Sequence, residues 1–327
     1  MTREGRLRVA VVGVGAVGRR AADHLRSGTD PADVVLVHHD RRGAVADIGG
    51  DVDVVIVTAP VDARPGVEAA LERGAHVVVT GDHPTQIRRL LTLDSEARER
   101  GLTVAVGAAM APGLSCVLAR HAGAGLDRVS EIHVASAGTG GPACARRHHR
   151  ALTSVAVDWE QGWRRRPGGS GRELVWFPEP VGGADCYRAS RPDPALLVPA
   201  FPGVRRVTAR LEATRRDRMT SWLPMLRPPH PEGLVGAVRV EVRGWQSGVA
   251  QTVVVGASAP PAQAAGTVAA VVALRAGAGA LARPGVAGLA ELVADPDAFL
   301  ADVARRGIRT TVFEGAMGPV RSALDTL

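Results

Sequence analysis

Short runs of branched apolar residues alternate with amphipathic segments over the first 110 residues of the chain. The apolar runs are bounded by Gly, Asp or Pro, which is typical of buried strands, and they span 7–12, 34–38, 52–57, 76–80 and 103–106. Apolar positions at helical spacing predict helices over 16–26, 66–73 and 85–100. This alternation of strand and helix predicts a parallel sheet with helical crossovers.

The pattern changes after Met110. A helix is predicted over 114–124 and an alternating strand over 131–137, followed by a stretch rich in Gly, Pro, Arg, Trp and His. Further elements are predicted in the second half: paired antiparallel strands over 234–242 and 248–257 around a turn at 244–247, an alanine-rich helix over 261–281, and two short helices around a weak strand at 310–313. The second half therefore predicts a compact substrate-type domain.

A glycine-rich loop stands between the first predicted strand and the first predicted helix. It reads Gly13-Val14-Gly15-Ala16-Val17-Gly18. In such a loop the first glycine makes a tight turn, the second lets a pyrophosphate approach the backbone, and the third lets helix and strand pack closely. The amides that begin the helix then face the diphosphate. Strand, loop and helix follow one another directly here. This order favours a dinucleotide site; the alternative is a glycine-rich turn in a chain biased towards Gly and Ala.

The residues after the second predicted strand bear on which dinucleotide binds. A carboxylate about 20–25 residues past the first glycine holds the ribose 2′-hydroxyl of NAD, whereas arginines there favour the 2′-phosphate of NADP. His38 has that spacing, Asp40 comes slightly later, and Arg41 and Arg42 follow directly. The sequence thus favours NADP(H) over NAD(H), with Arg41 as the main phosphate contact; a solvated charged turn is the alternative. Further cofactor contacts are predicted where the third and fourth strands end, at Thr58, Ala59, Pro60 and Thr80.

All 40 residues counted as Lys or Arg are arginine, against 33 Asp and Glu, so the net charge is +7. The lack of lysine excludes a Schiff-base lysine, a P-loop and a lysine proton donor. The basic runs carry no interleaved aromatics, and we expect no nucleic-acid partner. Three cysteines without CxxC spacing argue against a disulfide frame or a metal site, and no apolar run is long enough to span a membrane. We therefore expect a cytoplasmic protein without a signal peptide or a membrane partner.

Several features occur together: the segments 74–80 and 91–97, Gly107, and Ala111-Pro112-Gly113-Leu114-Ser115. Together they resemble the saccharopine-dehydrogenase-like reductases, a family that borders on the homoserine dehydrogenases. The resemblance covers about residues 7–124 and, more loosely, the late alanine-rich helix with 284–286. It implies that the helix beginning after Pro112 and Gly113 brings its first amides towards a bound substrate.

The resemblance also implies an α/β architecture and a function. The expected parts are a Rossmann dinucleotide-binding domain over 1–125, an inserted α+β substrate and dimerisation domain over 126–258, and a C-terminal helical segment over 259–327 that returns to the first domain. A homodimer of this kind reduces an imine or carbonyl of a small amino-acid-like metabolite with NAD(P)H, here in a biosynthetic, specialised pathway. A dinucleotide-binding sensor or assembly protein without catalysis is the alternative.

Reduction of a carbonyl requires a proton donor as well as a hydride, and lysine is absent. One candidate is His149, with Arg146 beside it to bind a substrate carboxylate, on a helix that begins near residue 143. Asp185 and Tyr187, the only tyrosine, form a second candidate group. His83 stands where Gfo/Idh/MocA sugar dehydrogenases carry the lysine of Glu-Lys-Pro, and it is a further candidate. For each of these residues a solvent-facing or core position is the alternative.

Overall fold

The computed structural model of the protein contains two β-sheets and describes residues 6–27, 31–37, 51–225, 229–231 and 233–313. In chain order the strands are β1 (Arg8–Val12), β2 (Asp33–Val37), β3 (Val54–Val57), β4 (His76–Val79), β5 (Thr103–Val106), β6 (Arg128–Ala137), β7 (Ala156–Glu160), β8 (Trp163–Arg166), β9 (Glu173–Trp176), β10 (Gly183–Arg188), β11 (Arg206–Glu212), β12 (Gly236–Gln246), β13 (Val249–Ala259), β14 (Gly285–Ala287) and β15 (Arg309–Val312).

The helices pack on and between these sheets. They are α1 (Ala16–Arg26), α2 (Arg64–Glu72), α3 (Pro84–Leu91), α4 (Asp94–Glu99), α5 (Leu114–Gly123), α6 (Pro142–Ala151), α7 (Asp193–Leu197), α8 (Arg215–Thr220), α9 (Pro261–Gly277), α10 (Leu289–Leu292) and α11 (Pro296–Arg305). Within the described ranges, none of them combines the length and apolar character needed to cross a bilayer.

The first sheet has six parallel strands in the order β14-β5-β4-β3-β1-β2. β3 and β5 are buried along their whole length, because helices cover both faces of the sheet, as is typical of parallel sheets. β1 pairs in parallel with β3, which pairs in parallel with β4, so the loops that leave these strands start from the same edge. In open α/β sheets this carboxyl edge is where ligands bind.

Two elements of the first sheet differ from the prediction. The helix predicted over 85–100 is two helices, α3 and α4, because the Thr92 hydroxyl donates to the Arg89 carbonyl at 2.8 Å and competes with the helical ladder. The Asp94 side chain at the start of α4 then accepts the Val286 amide at 2.8 Å and fixes β14 at the sheet edge. A strand of three residues is too short to show periodicity, so β14 could not be predicted from the sequence pattern.

The second sheet has nine strands. Its main path is β15-β13-β12-β6-β11-β10-β9, with β7 paired to β11 and β8 to β7. The turn was predicted at 244–247, but β12 continues to Gln246. The turn therefore consists of Ser247 and Gly248, whose φ angles are +50° and +79°. A tight two-residue hairpin turn of this kind requires positive φ at both central residues, and both β12 and β13 are longer than predicted. The stretch between β6 and β12, in which no strands were predicted, contains β7 to β11.

The C-terminal part of the chain contacts both sheets. α9 is buried over most of its surface and packs on α1, where a Cβ at Gly266 would lie 2.6 Å from the Arg20 Cβ. β14 joins the first sheet, whereas β15 pairs with β13 of the second sheet. The predicted α/β class with a Rossmann-type sheet and a second α+β part is confirmed.

Candidate active site

A cavity of about 660 Å³ opens at the carboxyl edge of the first sheet and extends to the second sheet. Its walls come from segments far apart in the sequence: the glycine loop 13–18, the ends of β3 and β4, the loop 109–111, the end of β6, the start of α6, Arg191 and the start of α9. The cavity therefore depends on both halves of the chain.

The glycine loop has the geometry that a dinucleotide site requires. Gly13 has φ +111°, and a Cβ there would lie 2.6 Å from the Thr58 hydroxyl; a Cβ at Gly18 would lie 1.8 Å from the Gly13 carbonyl oxygen. A Cβ at Gly15 would meet nothing within 4 Å, although Gly15 lines the cavity. The turn and the packing of α1 thus need the outer two glycines, and the middle one leaves open space at the N-terminus of α1. This cradle fits a diphosphate.

The remaining predicted cofactor contacts divide into two groups. Those that line the cavity with the three glycines are Ala16, Val17, Thr58, Ala59, Pro60 and Thr80. The Thr58 hydroxyl lies 3.1 Å from the carbonyl oxygens of Val12 and Gly13, so it holds the loop against the end of β1. The others, His38, Asp40, Arg41 and Arg42, lie outside the described residues.

A buried cluster of charged side chains forms another wall of the same cavity. Asp82 follows β4, Arg147 and His148 belong to α6, and Arg191 lies in the connection from β10 to α7. The Asp82 Oδ2 atom lies 3.1 Å from His148 Nε2 and 2.7 Å from Arg191 Nη1, while Arg147 Nη1 donates to Oδ1. One carboxylate therefore accepts from three cationic side chains on two different parts of the chain.

Arg191 anchors this cluster to the first sheet. Its side chain is 2% exposed and also donates to the Ala111 carbonyl. Its Nε lies 3.7 Å from the carboxylate of Asp193, which accepts a hydrogen bond of 3.0 Å from the Ser115 hydroxyl. A buried arginine with this many partners holds the loop after β5 and the start of α7 in fixed positions.

Charge in the cluster shifts the proton equilibria. Burial opposes ionisation of Asp82, but the His148 hydrogen bond and the charges of Arg191 and Arg147 hold the pKa of this carboxyl well below its usual range. Burial also opposes a charged His148, yet attraction to Cys144 and the hydrogen bond to Asp82 outweigh it and raise the pKa of His148 to about 9. At neutral pH the imidazole is therefore protonated.

His148, Arg191 and Asp82 approach one another closely. His148 Nε2 and Arg191 Nη1 are 2.8 Å apart, and both donate to Asp82 Oδ2. His148 Nδ1 is buried and has no hydrogen-bond partner among the described residues. Counting Arg147, Arg191 and His148 against Asp82 and Asp193, the cluster holds three cations and two carboxyls. This excess of positive charge suits an anionic group in the cavity.

The structure places the predicted proton donors elsewhere. His149 Nε2 donates to the Leu223 carbonyl at 3.1 Å, because successive residues of a helix point about 100° apart and His148 takes the cavity side. Asp185 pairs with the Arg172 guanidinium at 2.8 Å. Tyr187 is buried in a small separate core with the Arg218 guanidinium 5.6 Å from its ring centroid. None of His149, Asp185 and Tyr187 lines the cavity.

Arg146 and His83 come together at a second, smaller cavity of about 330 Å³, which shares Arg147 with the first. His83 is exposed and immediately precedes α3. Arg146 is exposed one position before Arg147 on α6. The two residues therefore lie beside the main cavity and do not line it.

The first amides of α5, which the resemblance assigns to a substrate, donate to the chain itself in this structure. The Leu114 amide donates to the Ala109 carbonyl at 2.8 Å, and the Ser115 amide donates to Met110 at 3.1 Å. Pro112 and Gly113 form the turn that allows these two bonds. Gly113 has φ +123°, and a Cβ there would collide with the Ala109 carbonyl oxygen, so the position requires glycine on both counts. Met110 and Ala111 line the cavity in their place.

The structural comparisons bear on the fold. No protein-family model matches the chain, and no curated protein matches its sequence. Apo saccharopine dehydrogenase (L-Glu forming) from Saccharomyces cerevisiae is similar with a TM-score of 0.65 and 14% identity over 94% of this chain and 100% of that chain. DAP dehydrogenase of C. glutamicum in complex with DAP is similar with a TM-score of 0.50 and 16% identity over 92% and 99%. The protein thus has the fold that its resemblance to saccharopine-dehydrogenase-like NAD(P)-binding reductases implies.

Proposed function

We propose that the protein is an NAD(P)-dependent oxidoreductase that acts on the C=O or C=N carbon of a small amino-acid-like metabolite. The observation that carries the proposal is that the glycine cradle and the cationic cluster around His148 line one cavity. Both of the solved structures named above are dehydrogenases by name, which supports the same reaction class.

The residues present fit a nicotinamide dinucleotide. The cradle of Gly13, Gly15 and Gly18 would hold the diphosphate at the start of α1, and the segment 58–60 with Thr80 would border the nicotinamide half. When bound, this cofactor supplies or accepts the hydride. The side chains of the chain itself must orient the substrate and move the proton.

The charged cluster provides both of those functions. A guanidinium has five N–H donors, so Arg147 retains donors for a substrate carboxylate while Nη1 holds Asp82. His148 is the proton donor, since it is protonated at neutral pH and Asp82 orients its ring through Nε2. Arg191 fixes Asp82 from the buried side.

The preference for NADP(H) and the homodimer belong to the proposal. Arg41 and Arg42, which follow β2 in the sequence, support NADP(H).

Leu174 and Trp176 support a homodimer, because they leave apolar surface exposed on β9 at the edge of the second sheet. A cytoplasmic place in specialised metabolism and the lack of a nucleic-acid partner stay predictions from the sequence.

Replacing Gly15 with alanine is expected to weaken NADPH binding by about tenfold or more, equivalent to about 1.4 kcal/mol. The new methyl would occupy the open space where the diphosphate approaches the backbone, and it meets no protein atom within 4 Å, so the thermal midpoint should not change. Gly125→Ala is the matched control, because that Cβ also meets nothing within 4 Å but lies outside the cavity. Titration of NADPH and NADH fluorescence measures both variants.

The same titration on the unaltered protein tests the proposal. Binding of a nicotinamide dinucleotide is the expected result, and a protein that binds neither NADPH nor NADH does not have the proposed function. NADPH oxidation is then followed with pyruvate, glyoxylate and 2-oxoglutarate, each with and without ammonium. Cofactor binding without turnover of any carbonyl or imine substrate would instead favour a non-catalytic sensor.

A further inference from the structure

Cys144 occupies a position that the proposed hydride transfer does not use. It is the third residue of α6, is half-buried, and lines the main cavity. Its Sγ atom lies 3.6 Å from His148 Nε2, one helical turn further on. The Gly140 amide also hydrogen-bonds to the sulfur. A thiol beside an imidazole at the start of a helix is the arrangement that produces reactive cysteines.

The surrounding charges favour the thiolate. His148 and Arg191 are the cations that interact with the sulfur, and Asp82 is the carboxylate that opposes them; Arg147 lines the same cavity. Burial raises the pKa of the Cys144 thiol, but the charge and hydrogen bond of His148 outweigh it, and the pKa is lowered.

The other two thiols of the chain are buried away from the cavity, and their pKa values are raised instead of lowered. Cys116 and Cys186 are buried, and burial raises the pKa of each to about 12. Neither lines the cavity. They remain protonated and inaccessible under conditions in which Cys144 is ionised, so they serve as internal controls.

The contents of the cavity suggest what such a thiolate would meet. The cluster leaves a cationic surface for a carboxylate, and the buried Nδ1 of His148 has no partner among the described residues. Buried polar atoms are nearly always hydrogen-bonded, so this atom points to a ligand that the chain itself does not supply. An aldehyde is the carbonyl to which thiolates add most readily, because its carbon is the least hindered.

We propose that Cys144 is a nucleophile that binds a carboxylate-bearing aldehyde covalently and reversibly in this cavity. The Sγ lone pair forms a bond to the carbonyl carbon, the C=O π bond breaks, and its electron pair moves to oxygen. That oxygen takes a proton from the His148 imidazolium, which gives a thiohemiacetal and a neutral imidazole without any change of oxidation state. Arg147 binds the carboxylate. Reversal of these steps restores the C=O and the imidazolium, and it must precede any reduction, because a thiohemiacetal carbon cannot accept a hydride. The identification of this aldehyde as the substrate of reduction rests on the proposed function; the nucleophilic thiol does not.

Alkylation with iodoacetate and iodoacetamide tests the thiol in the full-length protein. Mass spectrometry is expected to find the label on Cys144 and not on Cys116 or Cys186. The rate should titrate with an apparent pKa below the ordinary value of about 8.5. The iodoacetate to iodoacetamide rate ratio should exceed that of free N-acetylcysteine by about tenfold, because the cluster attracts the anionic reagent. His148→Gln should raise the apparent pKa and slow alkylation at neutral pH.

Two results would overturn the nucleophilic assignment. One is a native protein in which Cys144 stays unlabelled while it reacts after denaturation in urea. The other is an apparent pKa at or above that of free cysteine. Both are read on the unaltered protein, so the test does not depend on whether His148→Gln folds.

Glyoxylate labelled with ¹³C at its aldehyde carbon tests the adduct. A thiohemiacetal resonance distinct from those of the free aldehyde and its hydrate is expected with the unaltered protein and is expected to be lost in Cys144→Ser. The same resonance in both proteins, or in neither, contradicts covalent binding. Cys144→Ser should still bind NADPH, so failure of the adduct and failure of the proposed cofactor site give different results.

Discussion

Replacing His148 with glutamine is expected to lower kcat/KM for the best carbonyl substrate of the NADPH oxidation panel by about 10²–10⁴-fold at neutral pH. Glutamine keeps a donor towards Asp82 and a similar length, but it cannot deliver a proton to the substrate oxygen. His149→Gln is the comparator on the same helix, because the structure turns that side chain to the Leu223 carbonyl. If His149→Gln loses more activity than His148→Gln, the assignment of the donor is wrong.

The pH profile separates a lost proton donor from a distorted site. The pKa of His148 is raised to about 9, so in the unaltered protein the rate of reduction should stay high through neutral pH and fall as the pH rises through about 9. His148→Gln should lose this alkaline limb and retain a low, flat rate. The free energy of unfolding should change with pH in the same direction. Protonation of His148 contributes fully to stability below the ordinary pKa of 6.5, and this contribution is lost as the pH rises through about 9.

Local steric rules made the first half of the fold predictable. The roles assigned to Gly13, Gly15 and Gly18 depend on atoms within a few residues or on the adjoining strand, and the structure has the expected clashes and open space at each. α1 begins and ends where its apolar spacing predicts. The three residues of β14 carried no comparable signal, since the edge strand depends on the Asp94 side chain nearly two hundred positions earlier.

The charged cluster was not predictable by the same means. Asp82 and His148 are 66 positions apart, and only the crossing from the first sheet to the second brings them within 3.1 Å. In the sequence, His148 and His149 are equivalent neighbours, and the angle of α6 against the cavity decides between them. A polar residue shortly after a buried strand was the one available signal, and Asp82 is the third residue after the end of β4. Nothing in the sequence pointed to Arg191.

Replacing Asp82 with asparagine is expected to lower the free energy of unfolding by about 3–5 kcal/mol at neutral pH. Asp82 accepts from Arg147, His148 and Arg191, and its loss leaves these cations facing one another in a site where Arg191 is 2% exposed. Urea denaturation measures the change. Asp62→Asn is the control, because that carboxylate pairs with Arg89 at 3.4 Å on the surface, and such pairs contribute about 1 kcal/mol or less.

The dependence of this effect on pH identifies its origin. The pKa of Asp82 is held well below its usual range by the His148 hydrogen bond and the two arginines, although burial opposes this. Its contribution is therefore fully present above the unfolded-state pKa of about 3.9 and is lost as the pH falls below that value. The difference in stability between the unaltered protein and Asp82→Asn should stay constant from neutral to mildly acidic pH and narrow in stronger acid. A difference of less than about 1 kcal/mol at neutral pH would mean that the cluster does not depend on this carboxylate, since surface pairs contribute that much.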